Sequence, residues 1–190
     1  MKDYWDKYGY GDQFGREMEL GRDFEFRDGG MFFIRTWDWY DEYIKDWAPQ
    51  QNHSLSINGG NGKTNYNIAL GYLSQDGMMK VNSDNYKRYN ANISLNSELN
   101  QYVSIRTGVM FTRSDYDKPF NYNSDLYDPM YYLYRWQPMM PYGTFEGKEF
   151  RNALTEQKSA PITTKEREYL RLRGGATIKP IKDLTLDIDI

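Results

Sequence analysis

The chain has 190 residues, a net charge of −3 and no cysteine; 39% of it is hydrophobic and 17% aromatic, with 18 tyrosines. The missing cysteines exclude a disulfide scaffold and thiolate metal sites, the mildly acidic balance argues against nucleic acid as a partner, and no run approaches the roughly 18 apolar residues of a transmembrane helix. A mean hydropathy of −0.88, with many tyrosines and few aliphatics, suits side chains at a boundary that is apolar on one side and wet on the other, and not the aliphatic filling of a soluble sandwich.

Residues 1–35 are polar, Gly-rich and aromatic, without a sustained period, and the start MKDYWDKYGYGDQF has no apolar stretch of a signal peptide. The stretch TWDWYDEYIKDWAP predicts one short helix near 37–47: Tyr40, Tyr43, Ile44 and Trp47 share a side, Asp41 and Lys45 are spaced to pair, and Pro49 ends it. Together 1–52 form an expected external loop region.

From 53 to 113 the chain predicts about four strands. In TNYNIALGY, Tyr66, Ile68, Leu70 and Tyr72 alternate with Asn65, Asn67, Ala69 and Gly71, the period of a strand with one apolar face. Asn61-Gly62 predicts a type I′ hairpin that sets Ile57 opposite Tyr66 and Leu55 opposite Ile68. A second hairpin, centred near Leu99, sets Leu95 opposite Val103 and Ile93 opposite Ile105. A long external loop follows over 114–167, broken by five prolines. Two strands close the chain over 168–190 around a turn near Ile181, pairing Ile178 with Leu184 and Arg173 with Asp189. The last of them, KDLTLDIDI, stops in mid-alternation, as a truncated chain would.

The expected class is therefore all-β: antiparallel up-and-down strands forming part of a transmembrane β-barrel, with long external loops and one short helix. Strands of about 10–12 residues suffice to cross a bilayer at a tilt. Tyr72 and Tyr89 each lie about ten positions from their own tight turn, which places both at one far boundary, as in an aromatic girdle. The polar face carries Arg106, Arg171, Arg173, Asp187 and Asp189, expected to face a lumen, since an arginine facing lipid near the midplane costs about 2–4 kcal/mol.

Other motifs have plainer accounts. GGNGKT over 59–64 ends like a phosphate-binding loop but joins two strands. Asp38, Asp41, Glu42 and Asp46 lie on a short exposed helix with nothing apolar to raise a pKa for glycoside hydrolysis. Asp115 and Asp117 lack the rest of a calcium ligand set, and the single histidine, His53, has no partner for a metal site. No catalytic residue, metal or cofactor is expected. The loop NYNSDLYDPMYYLYRWQPMMPYGTF offers Tyr131, Tyr132, Tyr134 and Trp136 as faces to stack on a sugar or pack against a peptide, with Trp37 and Trp39 as further candidates.

The stretch from Asp41-Glu42 through His53–Gly60, Lys63–Gly77, Tyr86–Tyr89 and Asn100–Val103 resembles the early barrel region of the SusC/RagA-like family of TonB-dependent outer-membrane transporters. YLRLRGGATIKPIKDLTLDIDI is similar to a later strand pair of that family, and the likeness covers roughly residues 40–190. The resemblance implies a non-enzymatic multi-pass protein of the Gram-negative outer membrane, contacting its lipid. Such transporters import glycans or peptides through a barrel of about 22 strands, with a plug, a SusD-like surface lipoprotein as lid and the TonB system as partner. This chain shows neither TonB box nor plug and about six strands, which leaves two readings: a fragment of the barrel region of a larger transporter, or a broken gene product. The alternative is a soluble extracellular β-rich glycan-binding module built from the same strands; scattered carboxylates offer little for a third reading, a glycosidase.

Overall fold

Period-two patterning dominates the chain, and strands dominate its fold. A computed structural model describes residues 2–9, 11–119 and 138–190. In chain order these residues form α1 (Lys2–Tyr8), a 3-10 turn (Asp12–Phe14), β1 (Phe24–Arg27), β2 (Gly30–Phe33), α2 (Trp39–Tyr43), β3 (Gln50–Gly60) and β4 (Thr64–Asp76). Then come β5 (Asn85–Asn100), β6 (Val103–Pro119), β7 (Thr144–Phe145), β8 (Lys148–Glu149), α3 (Ala153–Ser159), β9 (Ile162–Ile181) and β10 (Leu184–Asp189). They divide into two units. One comprises residues 1–48, 78–84 and 118–163, the other 49–77, 85–117 and 164–190.

The second unit is a six-stranded sheet in the order β10-β9-β6-β5-β4-β3, sequential apart from β7 and β8, which pair separately between β6 and β9 in the chain. Three tight hairpin turns join its strands at one end, and connections 77–84 and 120–161 leave from the other. The strands overrun the sequence boundaries: β6 continues to Pro119 and β9 starts at Ile162, so the ends of the expected 114–167 loop are strand.

All three hairpins keep the expected faces but take another register. At the first, the Asn61 side chain accepts from the amides of Lys63 (2.9 Å) and Thr64 (2.8 Å), drawing the turn one residue onward. Ile57 therefore faces Ile68, and Leu55 faces Leu70. Neither Asn61 nor Gly62 has the positive φ that a type I′ turn needs. At the second, Asn100 does the same for Tyr102 (2.8 Å) and Val103 (3.0 Å), so the turn lies at Gln101-Tyr102 and Leu99 sits at a bulge. Ile93 now faces Val109. At the third, Asp183 takes φ 65°, the turn is Lys182-Asp183, and Ile178 faces Leu186. Along the uninterrupted ladders each shift is by an even number of positions, and an even shift leaves every side chain on its side.

The first unit has an aromatic core. Phe24 is fully buried, with Phe145 (5.0 Å between ring centroids) and Phe150 (5.7 Å) edge-on to it. Trp37 and Trp39 flank Tyr142 at 5.0 and 5.3 Å, and Met18, Tyr43, Ile44, Met79 and Leu154 complete the cluster. Type I′ geometry occurs here instead: Asp28 and Gly29, with φ 53° and 77°, turn β1 into β2. The expected helix over 37–47 is cut to α2. Asp38 caps its start, and Ile44 turns extended to bridge Met79, ending the helix well before Pro49. Tyr43 and Ile44 are buried while Tyr40 and Trp47 are exposed, and Asp41 lies 3.5 Å from Lys80.

At the centre of this unit Asp23 is fully buried. Its carboxylate accepts from Tyr4 Oη (3.1 Å), the Glu19 amide (2.8 Å) and Arg22 Nη2 (2.6 Å). Its carbonyl takes the Ile34 and Arg35 amides at 2.9 and 3.1 Å. One residue thus joins α1, the turn before β1 and the end of β2. Asp23→Ala should cost about 1–3 kcal/mol, because it leaves the Tyr4 hydroxyl and the Glu19 amide without their acceptor, while Arg22 keeps Glu19 at 2.9 Å. The check is hydrogen exchange in the whole chain: amides of 18–35 and 142–159 should lose protection while 64–76 keep theirs.

Burial and, next, the Asp23 charge push the Tyr4 hydroxyl up to about 12; burial followed by Glu42 does the same to Tyr142. A folded pKa above the unfolded value of about 10 means stability that is whole below pH 10 and lost as pH rises through about 12. In difference ultraviolet titrations, Tyr4→Phe and Tyr142→Phe should each remove one tyrosine that ionises near pH 12. Removal of one ionising near pH 10 would contradict this.

Candidate functional site

The ladders align residues into rows across the sheet. One row runs Leu55–Leu70–Ala91–Phe111, the next Ile57–Ile68–Ile93–Val109. Gly59, Tyr66, Leu95 and Thr107 form a third, where the Tyr66 ring lies across Gly59 and leaves no room for a Cβ there. Leu172, Ile178, Leu186 and Ile188 continue the same face on β9 and β10. Most of these large side chains are exposed: Leu55 at 55%, Leu172 at 66%, Ile188 at 55%. No protein layer within the sheet unit covers them.

A further row closes this face at the end away from the hairpin turns: His53, Tyr72, Tyr89 and Arg113 are register partners. His53 stacks on Tyr72 at 6.3 Å, and Tyr72 meets Tyr89 at 5.1 Å. Arg113 is an outward cation that sequence reasoning missed. Asp115 (3.0 Å), Glu166 (3.2 Å) and Glu168 (3.6 Å) surround it, so beyond the ring row the apolar face turns charged. From Tyr66 to Tyr72 the apolar band is six residue steps long, about 20 Å along the strand.

The opposite face is polar. Asn58–Asn67–Ser94–Gly108 and Ser56–Ala69–Asn92–Met110 are successive rows on it, and Asn65 faces Asn96, which faces Arg106. Arg106 reaches from β6 across β9 to β10: it donates to Thr177 Oγ1 (2.6 Å) and Asp189 (3.0 Å) and lies 3.7 Å from Asp187. Gly175, the register partner of Asp189, lies beneath this bridge, and a Cβ there would collide with the Asp189 carboxylate. The expected Arg173–Asp189 pair is therefore not formed. Asp189 pairs one strand further on because a glycine opens the way. Arg171 donates to Tyr169 Oη (2.8 Å), with its guanidinium 5.5 Å from that ring.

Trp37 and Trp39, expected as substrate-stacking faces, are core residues of the aromatic unit at 6% and 5% exposure, packed against Tyr142. Trp47, by contrast, is presented, at 74% exposure. Tyr131, Tyr132, Tyr134 and Trp136 lie outside the described residues. The acidic residues near α2 are structural: Asp38 caps the helix, and Glu42 holds Arg16 at 2.8 Å. Among the described residues no cluster of three or more His, Asp or Glu could hold a metal ion.

Comparison with solved structures gives likenesses of fold, three of which are as follows. A chain of the RagAB peptide importer in its closed-closed state matches with a TM-score of 0.62 at 23% identity, over 83% of this chain. The open-open state matches at 0.63 and 21% over 83%, and a further structure of the RagAB peptide transporter at 0.58 and 22% over 81%. In each case the chain spans 18% of the length of the solved one. No protein-family model matches the chain, and no curated protein does.

The two adjacent glycines of β9 separate the faces in a direct way. At Gly174 an added Cβ would make ordinary contact with Ile190 at 3.7 Å; at Gly175 it would displace the Asp189 carboxylate and crowd Arg106. In detergent micelles Gly174→Ala should leave the thermal midpoint within the scatter of a neutral surface change. Gly175→Ala should lower it, by the equivalent of about 1 kcal/mol, and speed amide exchange at 186–190. Equal effects would refute the assignment of these two residues to opposite faces.

Proposed function

We propose that the six-stranded sheet is a section of the wall of an outer-membrane β-barrel of the SusC/RagA-like, TonB-dependent kind. Its apolar face meets lipid and its Asn-rich face lines the aqueous interior through which peptides or glycans are taken up. A SusD-like surface lipoprotein and the TonB system are the partners proposed with it. The observation that carries this reading is the exposed apolar face, rows deep and bounded by His53, Tyr72 and Tyr89.

In water, each fully exposed Leu or Ile forgoes about 1.5–3 kcal/mol of burial, and soluble monomers rarely leave apolar patches beyond a few hundred Å². Lipid removes that cost. A soluble glycan-binding module would need a second layer over the same face, and the sheet unit supplies none. The low-identity likeness to the RagAB chains supports the fold part of the reading. The substrate surface is proposed to include Tyr131, Tyr132, Tyr134 and Trp136. The polar-face charges Arg106, Arg171, Arg173, Asp187 and Asp189 are proposed to face the lumen.

The absence of native cysteine makes a clean labelling test. Single cysteines placed in turn along 64–76, in the chain reconstituted in lipid bilayers, would be exposed to a charged maleimide and to a membrane-soluble one. Positions 65, 67, 69 and 71 should take the charged reagent, and 66, 68, 70 and 72 the membrane-soluble one, in strict alternation. Charged-reagent labelling at 68 and 70 as fast as at 67 and 69 would overturn the membrane-wall reading.

A further inference from the structure

Strand β9 sorts its charges by face. The stretch TTKEREYLRLR interleaves cations with glutamates in the linear sequence. Contacts at both ends establish how they separate. Thr177 and Gly175 face Arg106 and the β10 aspartates on the polar side. Glu166 and Glu168 reach Arg113 on the other side, and Thr164 donates to Asp117 there. Between these contacts strand alternation puts Lys165, Arg167, Tyr169, Arg171 and Arg173 on the polar face and Glu166, Glu168, Leu170 and Leu172 on the outward face.

The glutamates therefore cannot neutralise the cations beside them in sequence. On the polar face of the described sheet the acidic residues are Asp187 and Asp189 on β10 and Glu98 on β5, and Arg106 already holds the first two. No ion pair among the described residues involves Lys165, Arg167, Arg171 or Arg173. The stripe runs over eight residue steps, about 26 Å. Beside its lower end lies a cleft lined by Ser94, Asn96, Arg106, Gly108, Arg173 and Gly175, where two glycines leave space for an approaching chain.

We propose that this stripe is a docking strip for an extended acidic peptide. The inference rests on the reading of this face as the aqueous side of the wall, and it adds a preference among solutes. Within the pairs Lys165–Arg167 and Arg171–Arg173, on either side of Tyr169, the cations are two residues and about 6.4–6.8 Å apart, and the carboxylates of an extended peptide with an acidic residue at every second position recur at the same distance. Tyr169 interrupts the run of cations, and Arg171 donates to its hydroxyl, holding the ring beside the guanidinium.

The test uses the full chain in lipid nanodiscs and fluorescence anisotropy of labelled octapeptides. An alternating Glu-Ser peptide should bind about tenfold tighter than a Gln-Ser peptide, and added salt should weaken it. Arg171→Gln with Arg173→Gln should cost about three- to tenfold; the same positions changed to Lys should keep most of the binding. Glu166→Gln with Glu168→Gln, on the other face, should change nothing. The proposal is overturned if Glu-Ser and Gln-Ser peptides bind alike, or if the double Gln variant binds as the parent does. It is overturned equally if oligogalacturonate competes as well as the Glu-Ser peptide, since charge without peptide spacing would then suffice. Preserved cysteine-labelling alternation with no peptide preference would remove the strip and leave the wall; lost alternation would remove the wall reading itself.

Discussion

Strict alternation of side chains, held in register from β3 to β10, is the constraint on which the rest of the sheet depends. A backbone ladder does not care which face is apolar, so the faces are set by sequence at every second position and preserved by turns that shift registers only in even steps. Four-residue rows such as Ile57–Ile68–Ile93–Val109 exist only because three successive ladders agree. One odd slip would place Asn67 among isoleucines and Ile68 among asparagines. On the proposed membrane-wall reading, such a slip would put several amides without partners into lipid, a cost far larger than any single turn preference.

Small residues carry the exceptions to that regularity. Gly59 receives the Tyr66 ring, and Gly175 lets one guanidinium bridge three strands. Both are close-approach glycines, needed for space and not for an unusual φ. The aromatic unit is organised on another principle. Its short elements cannot form a continuous ladder, so a buried carboxylate, Asp23, and a cluster of rings at right angles hold it instead. Local caps do the remaining work: Asn152 closes a capping box at the start of α3, and Asn82 binds the Gln157 and Ala160 carbonyls at its end.

Much of the sheet was legible from residues 53–113 and 168–190 because period two is a strong, long-range signal. Tyr72 and Tyr89 were expected at one boundary, and they are register partners. The exact registers were not legible. The Asn-Gly dipeptide at 61–62 pointed to a type I′ turn, but the Asn61 side chain competed for the backbone amides and moved the turn. The Arg173–Asp189 pair failed because the turn at Lys182-Asp183 shifted the register by two and brought Gly175 opposite the aspartate. Trp37 and Trp39 were weighed as presented rings because composition cannot tell a core aromatic from an exposed one. Asp38 as a cap for α2, Asp28-Gly29 as a turn and Asn152 with Thr155 as a capping box all carried local signals. Asp23 did not: beside its local partners Glu19 and Arg22 it is held by the Tyr4 hydroxyl, nineteen positions away, which only the folded unit brings to it.

The most direct measurement of the central claim is the nuclear Overhauser contact between protein side chains and lipid acyl chains in nanodiscs. Methyl groups of Ile57, Ile68, Ile93, Val109 and Leu172 should show cross-peaks to acyl protons, and the side-chain amides of Asn58, Asn67 and Asn92 should show them to water alone. Acyl contacts absent from the methyls, or shared equally by both sets, would contradict a sheet with one face toward lipid and one toward water.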